Sequence, residues 1–155
     1  LNRPKTLAAK QRVMAINPLV EVDAVQAELT AENAAELLAD CDVAVDCLDN
    51  IPSRLLLQQA AKTAGVPLVH GTVAGWFGRI CVIQPGDDLL NLLYPDVGDA
   101  QGEELQMGAL SFTAALTASW QAAETVKLLL GKPGLQGETL EVNLLEPSVR
   151  KIKIS

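Results

Sequence analysis

The order of apolar and polar positions divides the chain into short blocks of differing period. Leu7, Ala8, Met14 and Ala15 recur at helical spacing after Pro4, and Asn17-Pro18 ends that helix. Residues 20–25 alternate apolar and acidic side chains, which predicts a strand at a sheet edge or half exposed. Thr30 is placed to cap a second helix over 31–39, with Leu37 and Leu38 facing inward. Val43 and Val45 mark a short buried strand whose carboxyl end carries Asp49 and Asn50. A helix over 51–64 follows at once, stopped by Gly65.

Residues 67–70 and 79–84 read as two more strands, joined by a glycine-rich turn over 71–78. Residues 87–106 have little periodicity and many turn formers, so they read as a functional or interface loop. A long apolar helix over 111–130 stops at Gly131-Lys132-Pro133, and residues 139–144 and 149–154 read as a terminal hairpin. Alternating strands and helices in the first half predict a parallel sheet covered by helices. The second half looks antiparallel, so the expected fold is a mixed α/β sheet flanked by helices, one domain over 1–155.

Composition adds exclusions. The chain is 49% hydrophobic and 20% charged, enough to build a core. Its net charge of −7 argues against a nucleic-acid partner and against an anionic membrane surface. The long helix carries Gln121, Glu124 and Lys127, poor for a membrane span, so a cytoplasmic protein is expected. Three widely spaced cysteines, Cys41, Cys47 and Cys81, suggest buried thiols in a reducing compartment, and no C-x-x-C pair supports a zinc site.

Asp49 is the leading candidate for chemistry. A carboxylate at the end of a strand suits Mg²⁺, a hard cation that often bridges to substrate phosphates. Capping of the following helix by Asp49 or Asn50 is the plainer role, and both stay open. Lys5 lies in a first helical turn, an attractive place for phosphate, although without further context a solvated surface lysine is the favoured reading. Arg54, one turn beyond Asn50, pairs with Asp49 or Asp46 or reaches a phosphate. Asp46 is expected to hydrogen-bond loop backbone. His70 is a general base or, more simply, a hydrogen-bonded residue at a strand end. Trp76 and Phe77 read as packing or interface groups. No G-x-G-x-x-G or Walker loop occurs, and Gly71, Gly75 and Gly78 have the wrong spacing for one.

Taken together, NRPK opening a helix that ends in INP, then AVDCLDN, PLVHGTVAGWFGRICVIQPG and SWQAAETVKLLLG, resemble the ThiF/MoeB/HesA adenylyltransferases, bacterial relatives of ubiquitin-activating enzymes. The resemblance runs in order along nearly the whole chain. It implies a Rossmann-like sheet, usually in a homodimer, and ATP-dependent adenylation of the terminal glycine of a ubiquitin-like sulfur carrier ending in Gly-Gly. It matches Lys5 to the lysine on the ATP phosphates, Asp49 to the Mg²⁺-holding aspartate, and Asn50 to the adjoining nucleotide pocket. The 71–78 turn matches the region near the carrier's tail.

Three features depart from the family pattern. The glycine-rich phosphate loop and an arginine-bearing helix would precede Leu1, so the nucleotide-loop portion of the fold is expected to be missing. NLLYPD stands where a zinc cysteine pair would be. GEELQMGALSF carries no reactive cysteine, so only the adenylation half of the chemistry is implied. The alternative is a non-catalytic dimeric relative that binds the carrier without turning over ATP. A dinucleotide-dependent oxidoreductase ranks last, for want of a glycine fingerprint.

Overall fold

The fold is taken from a computed structural model, which describes residues 3–95 and 107–154. Helix α1 spans Lys5–Ile16 and ends at Asn17, as Asn17-Pro18 predicts. None of its residues is buried, so the apolar positions Leu7 and Met14 form no core face within this chain. Residues 20–25 form no strand. Alternation alone does not make a strand; it needs an edge to pair with, and none is offered to this segment.

The second helix, α2, is Ala34–Leu38, shorter than the pattern predicts. Asn33 explains the late start. Its Oδ1 accepts the Thr30 N–H at 2.8 Å and its Nδ2 donates to the Glu28 carbonyl at 2.7 Å, so residues 30–33 close a polar turn first.

Strand β1, Ala44–Asp46, leads into α3, Ile51–Ala64. Both ends of α3 are locally encoded. The Asn50 side chain accepts from the Ser53 N–H at 2.9 Å, and Gly65 takes the left-handed conformation, φ 71°, that closes the carboxyl end. Strands β2, Leu68–Ala74, and β3, Phe77–Ile83, form a hairpin through Gly75-Trp76, with Gly75 at φ 54°. Both strands extend well into the segment expected to be a glycine-rich turn. A short helix α4, Leu89–Leu93, lies within the stretch expected to be a loop; residues 96–106 of that stretch are outside the described residues. Helix α5, Ser111–Leu129, and strands β4, Glu138–Asn143, and β5, Ser148–Lys153, complete the chain.

The sheet order is β1-β2-β3-β4-β5. Only β1 and β2 pair in parallel; the other three pairs are antiparallel. The mixed sheet stands, with less parallel character than the strand–helix alternation implied.

Two apolar clusters fill the two faces. One joins α2, α3 and α4 to the sheet through Leu57, Ala61, Leu68, Ile83 and Leu90. The other lies under α5 and includes Val69, Ile80, Val82 and Leu140, with Leu116 and Trp120 packed against it. The part of α5 buried deepest is polar: Thr113, Thr117, Gln121 and Glu124. They approach closely because glycines lie opposite, Gly78 beneath Thr117 and Gly71 beneath Gln121. Among the described residues, no helix is long and apolar enough to cross a membrane.

Candidate functional site

The β1–α3 turn is organised by a buried carboxylate. Asp46 has no solvent exposure. Its Oδ1 accepts the Leu48 N–H at 2.9 Å, the loop-backbone bond expected of it. Its Oδ2 lies 2.6 Å from His70 Nδ1 and 3.7 Å from Arg54 Nε. An ionised carboxylate only accepts, so the imidazole Nδ1 carries the proton in this bond. Arg54 also donates from Nη2 to the Leu48 carbonyl at 2.7 Å. From the opposite face, Gln121 Nε2 donates to the Asp46 carbonyl at 2.7 Å and to the Val69 carbonyl at 3.3 Å.

The turn therefore ends in a fixed geometry. Asn50 caps α3 with its Oδ1 and donates from Nδ2 to Asp49 Oδ1 at 3.1 Å. Asp49 itself is exposed, its carboxylate facing solvent. Of the roles left open for this pair, the structure gives the cap to Asn50.

Beside the turn lies a cleft of ≈ 680 Å³. Ile51 and Arg54 form one end, and Tyr94 stands above it. Its floor is the sheet: Thr72, Arg79, Glu141 and Arg150 are register partners across four strands, and Ala74, Phe77, Asn143 and Ser148 form the next row. Arg79 Nε and Nη2 both donate to Glu141 Oε1, at 3.0 and 2.7 Å, which neutralises that part of the floor.

Of the predicted site residues, the structure brings Asp49, Asn50 and Arg54 together at one turn, with Arg54 reaching into the cleft. Arg54 chooses Asp46, not Asp49, as its carboxylate partner. Lys5 is exposed and lines a separate shallow groove with Gln26 and Glu28; it does not line the cleft. The Asp46–His70 pair is the part that sequence reasoning missed. Its signal is a polar residue in each of two consecutive apolar strands, which become neighbours only through the parallel register Asp46↔His70.

The cysteines differ from expectation. Cys81 is buried, but Cys41 and Cys47 are exposed; all three are free. Desolvation, then the charge of Asp46, push the Cys47 thiol up, which disfavours a thiolate beside the turn. Among the described residues no three acidic, cysteine or histidine side chains cluster as a metal cage. Mg²⁺ carried by a nucleotide needs only one or two carboxylates besides phosphate oxygens, and an exposed, singly hydrogen-bonded Asp49 fits that demand.

A short parallel pair feeding an antiparallel sheet, with helices packed on it and a cleft floored by the sheet beside the β1–α3 turn, defines a Rossmann-like α/β protein. The chain belongs to the ThiF family, whose model matches residues 1–155. It is 37% identical over 165 residues to a sulfur carrier protein adenylyltransferase of Thermus thermophilus, covering 99% of this chain and 60% of that protein. It is 29% identical to a sulfur carrier protein ThiS adenylyltransferase of Escherichia coli, covering 89% and 56% respectively. Among solved structures, Escherichia coli MccB with ATP superposes with a TM-score of 0.73 at 13% identity, over 100% of this chain and 49% of that one, a likeness of fold. The chain thus spans little more than half the length of these relatives.

Proposed function

We propose that this chain is the magnesium- and carrier-handling part of an enzyme that uses ATP to adenylate the terminal glycine of a ubiquitin-like sulfur carrier. The observation that carries the reading is the exposed Asp49 carboxylate, hydrogen-bonded by Asn50 at the turn from which α3 carries Ile51 and Arg54 into the lining of the cleft. Family membership and the adenylyltransferase relatives support it.

In this reading the carrier's extended Gly-Gly tail lies along the cleft floor, over Thr72 and Ala74. Its carboxylate oxygen attacks the α-phosphorus of ATP; a C–O–P bond forms, the α–β phosphoanhydride bond breaks, and pyrophosphate leaves. Two anions must meet, so the site has to supply positive charge as the transition state develops. Mg²⁺, held by Asp49 and the phosphates, contributes charge neutralisation when bound. Arg54, which lines the cleft, orients the incoming carboxylate; Lys5, on its separate groove, is given no part in the step.

The reading includes a homodimer in the cytoplasm. Its support is the outer face of α5, where Ala118, Ala122, Val126 and Leu129 are all exposed. An apolar helix face of this extent needs a cover.

The test is ATP–pyrophosphate exchange by the full-length protein with a carrier ending in Gly-Gly. Asp49→Ala is expected to lower exchange about 10²-fold or more. Undiminished exchange in that variant removes Asp49 from the mechanism, and no exchange by the unmodified protein removes the reading.

A further inference from the structure

We infer that Asp46 and His70 are positioning residues that set the place of Asp49 through the backbone of the turn between them and it. The inference rests on the adenylation reading for its consequence, but its geometry is independent of that reading.

Asp46 is the hub. One carboxylate oxygen holds the Leu48 N–H; the other is held by His70 and approached by Arg54 at 3.7 Å. The contact with His70, at 2.6 Å, is the shorter of the two by more than an ångström. Without it, the Arg54 guanidinium, on the α3 side, is the charged group left beside Oδ2 among the described residues. The carboxylate then rotates toward Arg54, and Oδ1 leaves the Leu48 amide. Arg54 is itself tied to the Leu48 carbonyl, so its movement drags on the same residue. Leu48 immediately precedes Asp49. A bond lost at His70, on the neighbouring strand, thus becomes a loosened turn at the residue that presents the carboxylate.

Both partners are completely buried, so neither can exchange its bond for one with water. His70 Nε2 is also buried and has no hydrogen-bond partner among the described residues. The imidazole is therefore committed to the turn through Nδ1 alone, with Tyr94 edge-on to its ring at 6.3 Å. A histidine kept for stability alone would be expected to satisfy both nitrogens.

The experiment compares His70→Phe and His70→Asn in the full-length protein. Phenylalanine keeps the ring but removes the donor; asparagine places an amide nitrogen where Nδ1 stands. Residue-resolved amide exchange reads the turn directly. In His70→Phe the Leu48 amide is expected to exchange about tenfold faster, with amides of β4 and β5 unchanged, and His70→Asn is expected to restore it. The Mg²⁺ concentration giving half-maximal ATP–pyrophosphate exchange is expected to rise about tenfold in His70→Phe, with the KM for the carrier unchanged and the asparagine variant near wild type. Unchanged exchange at Leu48, or acceleration shared equally by β4 and β5, overturns the inference. So does a loosened turn with an unaltered Mg²⁺ requirement. If His70→Phe does not fold, Asp46→Asn is read by the same two measurements. Should the unmodified protein lack adenylation altogether, that reading falls while the Leu48 amide still decides whether the turn is held as described.

Discussion

Gly71 offers the sharpest test of how the two faces of the sheet are tied together. A Cβ built at this position falls 2.6 Å from Gln121 Nε2 and 2.7 Å from Oε1, closer than van der Waals contact allows. The strand is held here, because Gly71 pairs with Ile80 of β3 and the residue before it pairs with β1 as well. Gln121 must therefore swing away, and it gives up its bonds to the Asp46 and Val69 carbonyls. Two buried hydrogen bonds at about 0.5–1.5 kcal/mol each place the cost of Gly71→Ala at about 1–3 kcal/mol. For a domain of this size that is a fall in Tm of about 3–10 °C. Thermal denaturation of Gly71→Ala, Gln121→Ala and the double variant measures it. The double variant is expected to be more stable than the sum of the single losses predicts, because the clash disappears with the amide. Gly86→Ala, where a Cβ meets nothing within 4 Å, serves as the neutral control. Wild-type stability in Gly71→Ala, or the same penalty with and without Gln121, would refute the close-approach argument.

Two further outcomes follow from burial. Desolvation pushes the Cys81 thiol from an ordinary 9.0 up to about 12, with Arg79 lowering it and Asp46 raising it by lesser amounts. Between these values the unfolded thiol loses its proton while the folded one keeps it, so stability is intact below pH 9 and falls as pH rises toward 12, by at most about 1.4 kcal/mol per pH unit. Denaturant titrations at pH 8 and pH 10.5 are expected to show a smaller loss in Cys81→Ala than in the unmodified protein; equal losses count against it. On α5, the pair Ala118→Glu and Leu129→Glu is expected to convert a dimer to a monomer in sedimentation and to make Tm independent of protein concentration, whereas a strictly monomeric unmodified protein removes the dimer from the functional reading.

Local signals were enough where an element is closed by its own neighbours. The Asn50 cap and Gly65 stop of α3, and the Asn17-Pro18 end of α1, lie within a turn of the residues they limit. Elements failed to show where a distant partner decides. Residues 20–25 have the right alternation and no edge to join. Gly71 and Gly78 read as breakers because their reason, Gln121 and Thr117, lies on a helix far along the chain. The candidate site divides along the same line. Asp49, Asn50 and Arg54 belong to one turn and could be placed from the sequence; the Asp46–His70 bond depends on strand register, which no local pattern carries.

Helix α5 shows the consequence most fully. Thr113, Thr117, Gln121 and Glu124 recur at helical spacing and would ordinarily be assigned to solvent, with the alanines and leucines between them assigned to the core. The structure turns that assignment over, because glycines in β2 and β3 open room for polar groups that must answer strand carbonyls and buried amides. Gln121 answers the Asp46 carbonyl and Glu124 Oε2 accepts the Leu135 N–H at 2.9 Å. One residue of this polar inward face, Gln121, holds the β1–α3 turn from behind. Leu116 and Trp120 still pack on the sheet, but Ala118, Ala122, Val126 and Leu129 are left facing outward. On this argument the holding of Asp46 and the need for a covering partner are two results of one helix orientation. A substitution that lets α5 rotate, Gly71→Ala foremost, is expected to disturb both together.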